Sequence, residues 1–227
     1  MRRINRRGIV GIEAAIVLIA FVIVAAAFSF MVVNMGLTST ERSKEAIAQG
    51  LKESSCPLIL DGTLLLKSGN TADNVTTIII PLKTLGVKYV PMWTNETVVS
   101  LKIGTDVALA NIYAGINHSI NPTTMTFDSI IQNLTSGGGH LYTWLQGYGL
   151  TTTNGTGAVL VIANDNGDNS LDFFEKGYLI ICLATGNHTA EPRDNILIEI
   201  RPEKTAPLTI SFTIPEAIPA NSYVTVE

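Results

Sequence analysis

The densest set of oxygen donors in the chain lies in the run from Asn164 to Glu175, NDNGDNSLDFFE. Set against a twelve-residue calcium loop, it places Asn164, Asn166 and Asp168 at positions 1, 3 and 5, the Ser170 carbonyl at 7, Asp172 at 9 and Glu175 at 12, where a bidentate carboxylate belongs. Position 8 is Leu171, an apolar anchor. Two positions depart from the pattern: Asn164 stands where Asp is usual, and Asn169 stands at position 6 where Gly is usual, although Asn tolerates the left-handed conformation. AVLVIA precedes the run and YLIICLA follows it, so the expectation is a calcium loop closing two strands rather than one between helices. The competing expectation is an Asn/Asp/Gly turn whose side chains cap its own backbone. A real site would gain stability from the ion by linkage.

Six Asn-x-Ser/Thr sequons, at Asn74, Asn95, Asn117, Asn133, Asn154 and Asn187, point to N-linked glycans on an external surface. Asn121 precedes proline and does not count. The two cysteines, Cys56 and Cys182, could be bridged in an oxidising compartment, or Cys182 could be a small buried hydrophobe within YLIICLA. Catalysis is not expected. His118, His140 and His188 are scattered, HExxH and GxSxG are absent, and Ser136 to His140 lacks a third group to orient a base.

The elements that must position these residues read mainly as strands. Runs rich in Ile, Val, Leu and Thr occur at 64–67, 76–82, 87–92, 97–103, 158–163, 178–184, 196–201 and 208–214, separated by Asp61-Gly62, Ser68-Gly69-Asn70, Asn154-Gly155 and the proline segment 202–207. Eight short strands predict a β-sandwich over residues 55–227. The stretch 105–147 is compatible with a short helix or with loops. Gly137-Gly138-Gly139 reads as a flexible tip, and no internal repeat is evident.

Before this part stands a segment of a different kind. From Ile9 to Thr40 only Glu13 is charged, so a helix there is apolar all round and needs lipid or other helices on every side. Ala14 to Val33 is long enough to cross a bilayer. The polar continuation, with Leu37, Thr40, Ile47 and Leu51 at helical spacing and Glu41/Lys44 and Arg42/Glu45 as i,i+3 partners, extends the predicted helix to about residue 53, before Cys56-Pro57. Such a helix is about 68 Å long, well beyond a membrane thickness. MRRINRRG holds four arginines and no acid, which sets the N-terminus on the cytoplasmic side. No small-residue cleavage pattern follows the apolar core, whereas Gly8 precedes it. Cutting between Gly8 and Ile9 would remove a leader, 1–8, and leave helix 9–54 at the front of the mature chain. Of 15 basic and 19 acidic residues, the mature chain then keeps 11 and 19, a net charge of −8, which gives no footing for nucleic acid.

RRG followed by IVGIEAAIVLIAFVIVAAAFSFMVVNMGL and TSTERSKEAI resembles the start of an archaellin, the archaeal flagellin and type IV pilin-like filament subunit, and ILIEIRPEKTAPLTISFTIPEAIP is similar to the end of that family. The resemblance implies an α+β fold, a long N-terminal hydrophobic helix followed by an immunoglobulin-like β-sandwich. It implies a helical homopolymer around a core of N-terminal helices that rotates for swimming, in an extracellular archaellum. It further implies a membrane-inserted precursor, a prepilin-type peptidase, an assembly ATPase and a membrane platform. Glu13, fifth in the mature chain, would help dock an incoming subunit, a carboxylate near a helix N-terminus being favoured by the macrodipole. A metal ion in the outer domain is known among archaellins. The alternatives are an adhesive archaeal type IV pilin and a pilin-leadered solute-binding module. The archaellin-like tail and the absence of an aromatic-rich sugar cleft are expected to favour motility.

Overall fold

A computed structural model describes residues 7–54, 57–70, 74–203 and 205–226. The chain divides into two units, Met1–Lys52 and Glu53–Glu227. The first is formed by helix α1 (Arg7–Ser54), whose 48 residues contain no proline and continue unbroken for about 72 Å. Its large apolar side chains from Ile12 to Met35 are 51–75% exposed. One segment, Gly11–Ala48, is long and apolar enough to cross a membrane. Past the apolar run the helix satisfies its hydroxyls on its own backbone: Thr38 donates to the Asn34 and Met35 carbonyls, Thr40 to Gly36 and Ser43 to Ser39. The expected Glu41/Lys44 and Arg42/Glu45 ion pairs do not form among the described residues. Long side chains standing fully in water gain little by pairing.

The second unit holds two facing sheets. Strands β1 (Leu58–Leu60), β2 (Leu64–Ser68), β3 (Val75–Thr84), β7 (Tyr113–Asn117), β8 (Gly157–Ala163), β10 (Lys176–Cys182) and β13 (Tyr223–Val226) make a seven-stranded sheet ordered β13-β2-β3-β10-β8-β7, with β1 also paired to β3. Strands β5 (Val98–Ile103), β6 (Val107–Leu109), β11 (Asn195–Arg201) and β12 (Leu208–Thr213) make a four-stranded sheet ordered β12-β11-β5-β6, and β4 (Tyr89–Pro91) pairs with β9 (Ser170–Asp172). Period-two alternation decides what each face covers. Ala158, Leu160, Ile162, Leu179 and Ile181 join Leu101, Ile198, Ile200 and Phe212 in the core between the sheets. Their neighbours Val159, Val161, Ile180 and Cys182 point the other way, onto helices α2 (Phe127–Thr135) and α3 (His140–Gly147) through Ile130, Leu134, Leu141 and Leu145. The central strands are therefore buried on both faces.

All eight expected strands are present, and the sandwich is the expected one. Three features differ. The stretch 105–147 forms β6, β7, α2 and α3, so one face of the larger sheet carries a helical layer. Strand β7 runs parallel to β8, whereas the other strand pairs are antiparallel. The triple glycine is a built connection: a Cβ on Gly139 would lie 2.3 Å from the Asn133 carbonyl oxygen and 2.5 Å from that of Leu134, so only glycine lets α2 and α3 approach this closely. Proline in the central strand β3 also has a reason. The Pro81 carbonyl accepts the Asp61 N–H, so its nitrogen faces the turn where β3's partner passes from β1 to β2, and no ladder donor is lost.

Candidate functional site

Loop 164–175 closes the antiparallel pair β8 and β10, whose register begins at Ala163 and Lys176. Leu171 is fully buried, as an anchor should be, and β9 pairs with β4. The left-handed residues are Asn164 (φ 61°) and Gly167 (φ 85°), so the turn is made at positions 1 and 4 and Asn169 is not called on. Asn166, Asp168, Ser170, Asp172 and Glu175 converge, but on one another. The Asn166 amide nitrogen lies 3.0 Å from Asp168 Oδ2 and 3.2 Å from Asp172 Oδ2, bridging the two carboxylates where a cation would stand. Asp168 Oδ1 accepts the Ser170 N–H and hydroxyl at 2.9 and 2.7 Å. Glu175, 5% exposed, accepts the backbone N–H groups of Asn166 and Asp172 at 3.0 and 2.9 Å. Among the described residues no group of three His, Cys, Asp or Glu side chains is arranged to hold a metal. Burial raises the Glu175 carboxyl above its usual range, against the lowering effect of those two hydrogen bonds. Burial also raises Asp168, but the bonds from Ser170 and Asn166 outweigh it and hold that carboxyl low. Asp165, outside the expected donor set, accepts from Gly167 N–H and lies 2.6 Å from His118 Nδ1, tying the loop to the end of β7.

The sequons divide by environment. Asn95, Asn133, Asn154 and Asn187 are exposed and Asn74 is half-buried. Asn117 is not a surface acceptor: it ends β7 at 9% exposure, and its side-chain oxygen accepts the Ser119 N–H. All five residues of β7 are buried, Asn117 included. Gly8, Ile9 and Glu13 lie in the first turns of α1, with Glu13 exposed. Cys182 is buried and its thiol is pushed up to about 12 by desolvation. Cys56 lies outside the described residues, and the bridge with it.

The expectation of no aromatic cleft is overturned. Trp144 and Tyr148, one helical turn apart at the end of α3, stand with ring centroids 5.0 Å apart and line a cavity of about 610 Å³ with Leu150, Asn111, Asn154 and His188. The spacing is an i,i+4 pair, a signal present in the sequence but overlooked in a stretch with no firm secondary structure. Two sequon residues, Asn95 and Asn154, line the same cavity.

The profile of the archaeal-type flagellin family matches residues 8–212. The chain is 38% identical to probable flagellin 1 of Aeropyrum pernix over 225 residues, 99% of this chain and 98% of that one. It is 27% identical to probable flagellin 1 of Archaeoglobus fulgidus, over 94% of this chain and 93% of the relative. Among solved structures, the archaeal flagellum of Methanospirillum hungatei strain JF1 shares the fold at a TM-score of 0.52 and 20% identity, covering 95% of this chain and 99% of that one. Archaeal flagellin FlaB1 from Methanocaldococcus jannaschii does so at 0.52 and 14% identity, covering 74% and 94%. The apolar helix, the double-sheet outer unit and a family match over nearly the whole length agree: this chain belongs to the archaeal-type flagellin family, the archaellins, non-enzymatic subunits of the archaeal motility filament.

Proposed function

We infer that the chain polymerises through α1 into the extracellular archaellum filament, after a stage as a membrane-inserted precursor. The observation that carries this is the exposure of every large apolar side chain from Ile12 to Met35. A surface of that kind is stable in lipid or among identical helices and nowhere in water, at roughly 25 cal/mol per Å² of apolar area. Polymerisation exchanges one apolar surrounding for another. Processing by a prepilin-type peptidase between Gly8 and Ile9 frees the helix from its four arginines, and Glu13 then docks the incoming subunit through a free backbone amine. An assembly ATPase and a membrane platform complete the set of partners. Gly8→Trp tests the first step: precursor of full mass held in the membrane is expected, and normal filaments from this variant would end the reading.

N-linked glycans on the exposed sequons and calcium in loop 164–175 belong to the same proposal. Spacing of the oxygens, burial of Leu171 and the position of the loop between two strands support calcium. In this reading Asn164, Asn166, Asp168, Ser170, Asp172 and Glu175 would hold the ion, the Asn166 side chain turning from donor to acceptor, and the ion would supply the positive charge that the Asn166 amide now offers to Asp168 and Asp172. Chelation of filaments should lower their melting temperature and added calcium restore it, with no response from Asp168→Ala/Glu175→Ala. If chelation leaves wild type unchanged, Asn166 holds the loop by itself. Intact-mass measurement of native filaments reads glycan occupancy directly.

A further inference from the structure

The cavity beside α3 has the chemistry of a neutral saccharide site. Among the described residues that line it none is Asp, Glu, Lys or Arg. Its volume, about 610 Å³, falls inside the range of roughly 300–1,000 Å³ common for small-ligand sites. One wall is the Trp144–Tyr148 pair with Leu150; Tyr148 is 69% exposed, while Trp144 is half-buried against the cluster under α2 and α3 and offers the cavity only its remaining surface. A pyranose has apolar C–H faces that stack on such rings, whose π surfaces are negative. Some of its polar groups are held in place by the fold. Thr156 Oγ1 accepts the Ala184 N–H at 3.0 Å and lies 3.0 Å from His188 Nδ1, which fixes at the wall an imidazole able to give or take a hydrogen bond. Asn111 Oδ1 accepts the Val99 and Tyr113 N–H groups, which leaves its amide NH2 as another donor. Donors at fixed points between apolar rings match a ligand made of hydroxyl acceptors and C–H faces.

What fills such a site is indicated by its rim. Asn154, an exposed sequon acceptor, lines the cavity and belongs to the same unbroken stretch as both rings. Its position there is set by the turn in which the Asn154 and Gly155 N–H groups both donate to the Thr151 carbonyl, at 3.0 and 2.7 Å. We propose that the first sugars of an N-linked saccharide on Asn154 fold back into this cavity and stack on Trp144 and Tyr148, so that the glycan is a packed part of the outer unit. This rests on the glycosylation reading above. The ordering it brings would spread a hydrophilic cover over a half-open apolar wall that otherwise faces water.

The chain has two tryptophans, Trp93 and Trp144, so filaments carrying Trp93→Phe report Trp144 fluorescence alone. Glycopeptide mass analysis first gives the occupancy of Asn154 and Asn95. With Asn154 occupied, Asn154→Gln is expected to raise acrylamide quenching of Trp144 and shift its emission to the red, since the ligand would otherwise cover the part of the ring that the protein leaves exposed. Asn95→Gln should leave both unchanged. Equal quenching in the parent and Asn154→Gln filaments, with Asn154 occupied, would overturn the seat while glycosylation stands. A response to Asn95→Gln in place of Asn154→Gln would overturn the assignment to Asn154. A bare Asn154 would remove both this inference and the glycosylation reading at that residue. Protection of Trp144 by free neutral sugar in Asn154→Gln filaments would support the saccharide chemistry of the cavity. Intact filaments in every arm, judged by negative stain, keep the comparison valid.

Discussion

Helix α1 and the sandwich draw on the same aliphatic residues and leave them in opposite states. Val22 is 56% exposed and Ile23 63%, whereas Ile180 and Ile198 are both fully buried. The sandwich closes its apolar faces within one chain, by sheet on one side and by α2 and α3 on the other. The helix is apolar all round from Ile12 to Met35, a surface that needs lipid or other helices about it. A chain built this way is half a finished protein and half an unfinished one.

The largest expected effect breaks the unfinished half alone. Val22→Asp puts a carboxylate into a surface that must be solvated by apolar groups in both precursor and filament, where a charged residue costs about 2.5–3.5 kcal/mol even on the most lenient membrane scale. Filaments should be absent by electron microscopy, while the outer unit, which does not contain residue 22, keeps its fold by circular dichroism. Assembled filaments from Val22→Asp would mean that α1 does not form the apolar core.

A mutation in the finished half should do the reverse. Ile198 packs between the sheets at zero exposure, and Ile198→Ala removes buried methylenes and leaves a cavity, a loss of about 2–5 kcal/mol. Filaments should still form at low temperature but melt earlier in calorimetry. Unchanged melting with Ile198→Ala would contradict the core assignment. Gly139→Ala acts on the same half by overpacking rather than by a void, since the added methyl meets two carbonyl oxygens at 2.3 and 2.5 Å. Its expected cost is about 1–3 kcal/mol, seen as a drop in the same melting transition.

The same contrast explains what could be read from the sequence. An all-apolar run with a basic flank is a long-range signal, and runs such as VTTIIIPLKT and NILIEIR are dense in β-branched residues, so α1 and the eight main strands were legible. Strand β9, SLD, was not, because it lies inside the acidic turn and is a strand only by virtue of β4 beside it. Helices α2 and α3 span nine and eight residues, too short for periodicity to stand out, and their stability comes from the sheet they cover. Asn117 carried a sequon, but a sequon does not say which way its strand faces. In loop 164–175 the spacing of oxygens was legible; the Asn166 amide between two carboxylates was not, since one side chain can serve as acceptor or donor by rotating. Asp165 and His118 were missed because 47 residues separate them.

The smallest expected effect concerns that pair. His118 lies with Nδ1 2.6 Å from Asp165 Oδ2 and Nε2 3.4 Å from Asn169 Oδ1. Its hydrogen bond to Asp165 raises its pKa above the ordinary value, burial opposes this, and Asn169 and the charges of Asp165 and Asp168 add to the rise. A histidine whose folded pKa is raised binds its proton more tightly in the native state. Its contribution to stability is therefore complete below the unfolded value, about 6.5, and is lost as pH rises through the folded value. Asp168, held low, behaves oppositely: its contribution is present above about 3.9 and is lost as pH falls through its depressed value. Glu175, held high, loses its contribution as pH rises through its raised value, so the comparison with His118→Ala, which keeps Glu175 in both proteins, is what isolates the histidine. Because the His118 side chain is 36% exposed, the effect is a matter of a few degrees at most. Between pH about 6 and 8.5 the melting temperature of the parent should approach that of His118→Ala from above, and the gap should narrow further in high salt as the Asp165 contact is screened. Parallel melting curves across that range would show that His118 sits beside Asp165 without linking loop 164–175 to the end of β7.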